Sequence, residues 1–387
     1  MKILLIEDEK SKIEVISNYL YDFDIGDSGL VLDHADNLRD ARRLVLTKKF
    51  DLIIFDIYLP IYKGGIEQDI SNDIVFEFSN SLNCHTEAIT ITRFKVDEVS
   101  LVNLFNDSGI TIVEYEEFNN KWTVALDAKI KKASEKIRFD FLIFCALSKE
   151  RTAFSETAAN LGDLKNIFGM NCQEIAVGKA KGLCIVPPRP GLVSMAIVSA
   201  KAIELFQPKL VAMSGICAGV QGEVNFLDIL VADVCWEYQT GKFKDNGFNQ
   251  EPYQASITPT VKTELSQRAE DAEFVNSLKK GLFDTELRGS CIRLVPISSG
   301  SAVIADSSMM EKIGCQHRKM AGLEMEMYSL YESAHQALCK PAVFGAKAVV
   351  DMGDSSKGDI LHNTACILSA RFVVHYISDF SGEKSSE

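Results

Sequence analysis

Ala348-Val349-Val350-Asp351-Met352-Gly353-Asp354 is an apolar run that stops at a carboxylate. Small and β-branched residues ending in an acid read as a buried strand whose last residue opens into a crevice. In α/β sheets, ligands bind in the crevice at the carboxyl ends of the strands. Upstream, Ala321-Gly322-Leu323-Glu324-Met325-Glu326-Met327 reads as a strand entering a helix. Glu324 there is a helix-start acid favoured by the dipole. Glu326 becomes a site candidate once Asp351 is set beside it. A third acid, Glu150, follows the apolar run Phe139 to Ala146, in Ala146-Leu147-Ser148-Lys149-Glu150.

Between these acids the pattern stays α/β. A helix is expected from Leu192 to Phe206 and a strand from Lys209 to Met213. That strand is expected to meet a glycine turn, Ser214-Gly215-Ile216-Cys217-Ala218-Gly219, whose glycines let backbone pass close to a ligand. Asp228 to Ala232 and Cys291 to Ile297 read as further strands, and Ile360 to Ile377 as a terminal amphipathic helix.

With 387 residues, two domains are the natural expectation. Hydrophobic residues are 47% and charged residues 25%, the balance of a globular chain rather than a disordered one. The net charge of −13 argues against DNA as a partner, because nucleic-acid affinity comes mainly from cations on phosphates. Ten cysteines form no Cys-x-x-Cys, and Cys145, Cys184 and Cys235 lie inside apolar runs. This fits buried thiols of a cytoplasmic protein better than disulfides or zinc. The start, Met1-Lys2-Ile3-Leu4-Leu5-Ile6-Glu7-Asp8-Glu9, reads as a first strand and not a leader. No stretch reaches membrane-spanning length.

The first half alternates short strands with helices. Strands are expected at Ile3 to Ile6, Leu30 to Leu32, Asp51 to Phe55, Ala88 to Ile91 and Ile110 to Val113. Helices fall at Lys10 to Tyr21, Asn37 to Thr47, Ile70 to Asn80 and Val96 to Asn106. Five strands in this rhythm give a doubly wound, flavodoxin-like parallel sheet. Glu7, Asp8 and Asp56 fall at strand ends, where clustered carboxylates could hold Mg²⁺. Asp56 would be the nucleophile toward a phosphoryl donor.

Leu4-Leu5-Ile6-Glu7-Asp8-Glu9 and Asp51-Leu52-Ile53-Ile54-Phe55-Asp56-Ile57-Tyr58-Leu59-Pro60 resemble a response-regulator receiver domain over roughly the first 118 residues. The resemblance implies a phosphoacceptor (Asp56), Mg²⁺ on Glu7, Asp8 and Asp56, a switch hydroxyl at Thr90 or Thr92, and a histidine kinase or other regulatory protein as partner. One departure is marked. Receivers place a lysine after the fifth strand, and here Val113-Glu114-Tyr115-Glu116 has none. The expectation is an atypical receiver, 1–118, joined through a helical connector, 119–138, to a second domain, 139–387.

That second domain resembles the nucleoside phosphorylase/nucleosidase superfamily, on the branch of the 5′-methylthioadenosine/S-adenosylhomocysteine nucleosidases. The matching pieces are Ala146 to Glu150, Ser214 to Gly219, Asp228 to Asp233, Leu323 to Glu326 and Ala348 to Asp351. The resemblance implies a phosphorylase-type α/β fold with a mixed sheet and hydrolysis of a purine N-glycosidic bond. Asp351 would protonate the leaving base, its own proton held by burial, and Glu150 would activate water. Glu326 would grip the ribose hydroxyls and Met325 pack on the sugar. Cys217, Ala218, Gly219, Val303 and Ile304 would contact base or sugar, with Val303 standing where these enzymes often carry a stacking aromatic.

No cofactor is implied for this domain. Phosphorylases of the superfamily need cations for a phosphate dianion, and Met213 and Glu150 stand where those cations are expected. Arg151 and Arg189 are the possible substitutes, and Arg189 and Lys242 could instead meet phosphates of a nucleotide substrate. Phosphorolysis and non-catalytic nucleoside sensing are the competing readings. A homodimer is expected from the resemblance alone.

Overall fold

The computed structural model describes residues 1–23, 29–93, 99–116, 119–134, 138–245, 247–251, 253–354 and 360–383. Val96, expected at the start of a helix, lies outside them. The chain divides into two compact units, Met1–Ile137 and Arg138–Glu387.

The first unit is a parallel five-stranded sheet. In sheet order the strands are Val31–Ala35, Lys2–Ile6, Leu52–Phe55, Glu87–Thr92 and Thr111–Glu114. Leu52–Phe55 is buried on both faces, as a central parallel strand covered by helices must be. Helices Lys10–Asp22 and Lys121–Ser134 pack on one face, and Leu38–Thr47, Ser71–Ser79 and Val99–Asp107 on the other. Asn37 caps the Leu38–Thr47 helix, its side chain accepting from the Asp40 N–H at 2.9 Å. Trp122, Leu126 and Ile130 bury one stripe of Lys121–Ser134 in the core of the first unit. The segment after Pro60 is a short hairpin, Tyr58–Pro60 with Glu67–Asp69, turned at Gly64 (φ +79°).

The second unit is built on a mixed ten-stranded sheet. Leu210–Gly219 pairs in parallel with Phe141–Phe144 and with Ala342–Asp351. Ala342–Asp351 pairs antiparallel with Ile229–Glu237, which pairs in parallel with Ile292–Ser299. Ile292–Ser299 joins the short Gly322–Glu324, which returns antiparallel to Leu210–Gly219. These five strands therefore close a ring of hydrogen-bonded neighbours. From Phe141–Phe144 the sheet runs out through Ala180–Val186, Met170–Val177 and Asn160–Ile167. Helices Leu192–Phe206, Met327–Gln336 and His362–Glu383 cover the apolar faces.

One expectation is corrected. Ser214 to Gly219 is not a turn but the second half of the strand Leu210–Gly219. Its glycines answer tertiary contacts. A Cβ on Gly215 would lie 2.2 Å from Glu150 Oε1, and one on Gly219 2.5 Å from Val224 Cγ2. No helix among the described residues is long and apolar enough to cross a membrane.

Candidate active site

The closed ring places its strand ends around one cavity of about 400 Å³, a size suited to a small organic ligand. Glu150, Cys217, Ala218, Val303, Ile304, Met325, Glu326 and Asp351 all line it. Gly219 does not; it packs inward against Val224, Val349 and Met352. Val303 is 69% exposed and sits at the rim.

Glu150 lies in a short helix, Ser148–Thr152, and is 1% exposed. Its carboxylate is fixed from two sides. Oε1 accepts from the Ile216 N–H at 3.0 Å and Oε2 from the Leu147 N–H at 2.9 Å. Burial raises its pKa; Lys347 pulls it down and Glu326 pushes it up.

Glu326 is 2% exposed at the start of Met327–Gln336. Its Oε1 accepts from the Gly191 N–H at 3.0 Å, a contact made available by Gly191's backbone at φ +113°, which disfavours any side chain. Its Oε2 meets Lys347 Nζ at 2.9 Å. Glu324 caps the same helix, accepting from the Glu326 and Met327 N–H groups, and also meets Lys347 Nζ at 3.1 Å. Ser299 Oγ donates to Glu324.

Lys347 was not singled out in the sequence, because it sits inside an apolar strand with no local sign of function. Burial by itself would lower its pKa. The carboxylates of Glu326, Glu324 and Glu150 outweigh that and hold its ammonium well above the ordinary value. Two buried acids, Glu324 and Glu326, thus share one buried cation.

Asp351 ends its strand one residue past a β-bulge, between the pairs Cys217↔Val349 and Ala218↔Asp351. Bulges next to functional sites re-aim side chains. Asp351 Oδ1 accepts from the Gly353 N–H at 2.7 Å. The side chain is half-buried, not buried as the sequence suggested.

At the cavity edge Lys149 Nζ lies 2.5 Å from His362 Nδ1, and both residues line the pocket. Neither was singled out in the sequence; adjacency to Glu150 was the only available signal for Lys149. Arg151 is committed elsewhere, donating to Asn171 Oδ1 at 2.8 Å, and Arg189 and Lys242 are not among the lining residues.

In the first unit the structure brings Glu7 and Asp56 together, with a cation already between them. Lys12, 0% exposed, places Nζ 2.6 Å from Glu7 Oε2 and 2.5 Å from Asp56 Oδ2. Burial pushes Glu7 up to about 7 against the pull of Lys12. Asp8 is also raised, by burial first and then by Glu67. Thr90 and Thr92 are both fully buried on the adjacent strand, and Thr90 Oγ1 has no hydrogen-bond partner.

Residues 140–374 match the profile of the phosphorylase superfamily. The chain is 27% identical to the uncharacterized protein y4jS of Sinorhizobium fredii (strain NBRC 101917 / NGR234), over 97% of this chain and 98% of that one. It is 22% identical to ATP nucleosidase Cap17 of Escherichia coli (strain KTE188), over 52% of this chain and 42% of that relative, so it spans less than half of Cap17. A stretch covering 16% of this chain is 41% identical to 26% of the probable transcriptional regulatory protein SilR of Salmonella typhimurium, in line with the receiver-like N-terminal region. Among solved structures, 5′-methylthioadenosine/S-adenosylhomocysteine nucleosidase from Neisseria meningitidis shares the fold at TM-score 0.50 and 16% identity, covering 62% of this chain and 98% of that one.

Proposed function

This chain belongs to the phosphorylase superfamily, and from that premise we propose that it hydrolyses the N-glycosidic bond of a purine nucleoside or nucleotide. The observation that carries the proposal is the convergence of Glu150, Glu326 and Asp351 on one cavity. Bond cleavage builds positive charge on the ribose, and carboxyl groups placed around the cavity stabilise it where it develops. Glu326, already held by Gly191 and Lys347, accepts hydrogen bonds from the ribose hydroxyls. Asp351 gives its proton to the purine as the C1′–N bond breaks. Glu150 takes the proton of the water that attacks C1′. A carboxylate raised by burial is the stronger base for that step.

Water is favoured over phosphate on charge grounds. A phosphate dianion attacking C1′ needs donors or free cations on the cavity floor, whereas Lys347 there is already shared by Glu324 and Glu326 and Lys149 and His362 stand at the edge. The test is release of free base by the purified protein with and without added phosphate. Equal release with ribose as co-product supports hydrolysis; strict dependence on phosphate, with ribose 1-phosphate formed, overturns it.

A nucleotide substrate is the sharper form of the same reading. Lys149 and His362 put two cation-capable groups at the cavity edge, beside the start of the long helix His362–Glu383, whose first turn carries no acid. They suit the phosphates of a 5′-nucleotide, and the relative Cap17 is named an ATP nucleosidase. We further propose that the receiver-like unit regulates this activity. Base release from adenosine, AMP and ATP by the full chain and by a chain starting at Arg138 tests both statements.

A further inference from the structure

The receiver resemblance implies a divalent cation on Glu7, Asp8 and Asp56, and the side chains present do not fit one. Mg²⁺ demands near-octahedral oxygen ligands at about 2.0–2.1 Å. Asp56 has both oxygens engaged, Oδ2 by Lys12 Nζ and Oδ1 by the Ile57 N–H at 2.6 Å. Glu7 is engaged likewise, Oε2 by Lys12 and Oε1 by the Glu9 N–H at 3.1 Å. Among the described residues no group of three His, Cys, Asp or Glu side chains is arranged to hold a metal ion.

The cation that receivers carry after the fifth strand is missing from that place, where Tyr115 stands instead. Its ring lies 5.6 Å from Lys12 Nζ and offers a cation–π face to the ammonium. The same ring takes Arg93 on a contact of 5.4 Å, and Arg93 is tied to Glu9 at 2.8 Å. The cation at this centre is therefore carried by the first helix, and it sits between the two acids.

We propose that Lys12 is a built-in counter-cation that closes the acidic centre of the first unit to divalent metal. A metal entering between Glu7 and Asp56 would have to displace a buried ammonium or share two carboxylates with it at like-charge distance. Either is costly where water is excluded. Phosphoryl transfer to Asp56 would face the same obstacle, because Oδ2 is held by Lys12. The first unit then signals through packing or protein contact, not through a metal-dependent acyl phosphate.

Calorimetric titration of the full chain with MgCl₂, and Mn²⁺ titration followed by electron paramagnetic resonance, test this directly. The wild-type chain is expected to show no saturable site up to about 10 mM, well above the range of sensor-type cation sites. Lys12→Met should gain one site, and Lys12→Arg, which keeps the cation, should gain none. Saturable binding to the wild-type chain that is lost in Asp56→Asn would overturn the proposal, as would a folded Lys12→Met that binds nothing. Should Lys12→Met fold poorly, the wild-type titration decides alone, and a rise of the variant's melting temperature in Mg²⁺ supports the proposal.

Discussion

Glu150 occupies the space a side chain at Gly215 would need: a Cβ there would lie 2.2 Å from its Oε1. The proposed base and the strand glycine opposite it are one packing unit. Gly215→Ala should push Glu150 off its two backbone donors. Overpacking of this kind costs about 1–3 kcal/mol, and the loss of activity should exceed the loss of stability. Denaturant melts and kcat/KM on the same preparation separate the two.

Asp351→Asn keeps shape and removes the transferable proton. A fall in kcat of roughly 10²–10⁴ is expected, the usual weight of a general acid, with KM changing far less. Substrates whose leaving group needs no protonation should lose much less. An equal loss on both kinds of substrate would remove Asp351 from the role of acid.

Lys347→Met should be the most damaging single change in the cavity for folding. It leaves Glu324 and Glu326 buried and facing each other, and breaking a buried pair costs about 3–5 kcal/mol. The double variant Lys347→Met with Glu324→Gln should recover part of that loss. Thermal melts of the single and double variants measure the coupling.

The raised pKa of Glu150 makes activity and stability run in opposite directions with pH. Its folded-state pKa lies above its unfolded value, so its contribution to stability is full below the unfolded value and is lost as pH rises through the folded one. The form proposed to act as base is the ionised one, so kcat/KM should rise over the same interval. Glu150→Gln should abolish the acid limb of the profile together with the activity.

Lys149→Ala and His362→Ala should shift the ratio of ATP to adenosine turnover toward adenosine. A lost charge-assisted contact weighs roughly 1.5–3 kcal/mol, so a change of roughly ten- to hundredfold in the ratio of kcat/KM is expected, carried mostly by KM for ATP. An unchanged ratio would confine the pair to a structural contact.

The acids at strand ends were legible because a strand that stops at a carboxylate is a local pattern, and the first sheet because its apolar runs alternate with helical periods. The helix Leu192–Phe206 was legible to the residue. What escaped was tertiary. Ser214 to Gly219 has the composition of a turn, yet its glycine at 215 answers Glu150, distant in sequence. Lys12 lies on a helix whose apolar residues include Ile13, Val15, Ile16 and Leu20, but Val15 is 43% exposed and Lys12 is buried. A lysine turned inward is invisible until the acids it meets are placed. The antiparallel run from Asn160 to Val186 escaped for another reason: its outer strand, Asn160–Ile167, is mostly exposed and shows no apolar alternation.

Ala218 pairs with Leu323 on one side and Asp351 on the other. Asp351, the proposed proton donor, and the segment that leads into Glu326, the proposed ribose-binding acid, are therefore separated by one intervening strand, about 10 Å across two ladder spacings. That separation is a property of backbone hydrogen bonds, and no single side-chain exchange lengthens or shortens it. Divergence on this frame is left to the rim, at Lys149, Val303 and His362, where residues can change what hangs from a bound nucleoside while the spacing of the two acids' strands stays fixed.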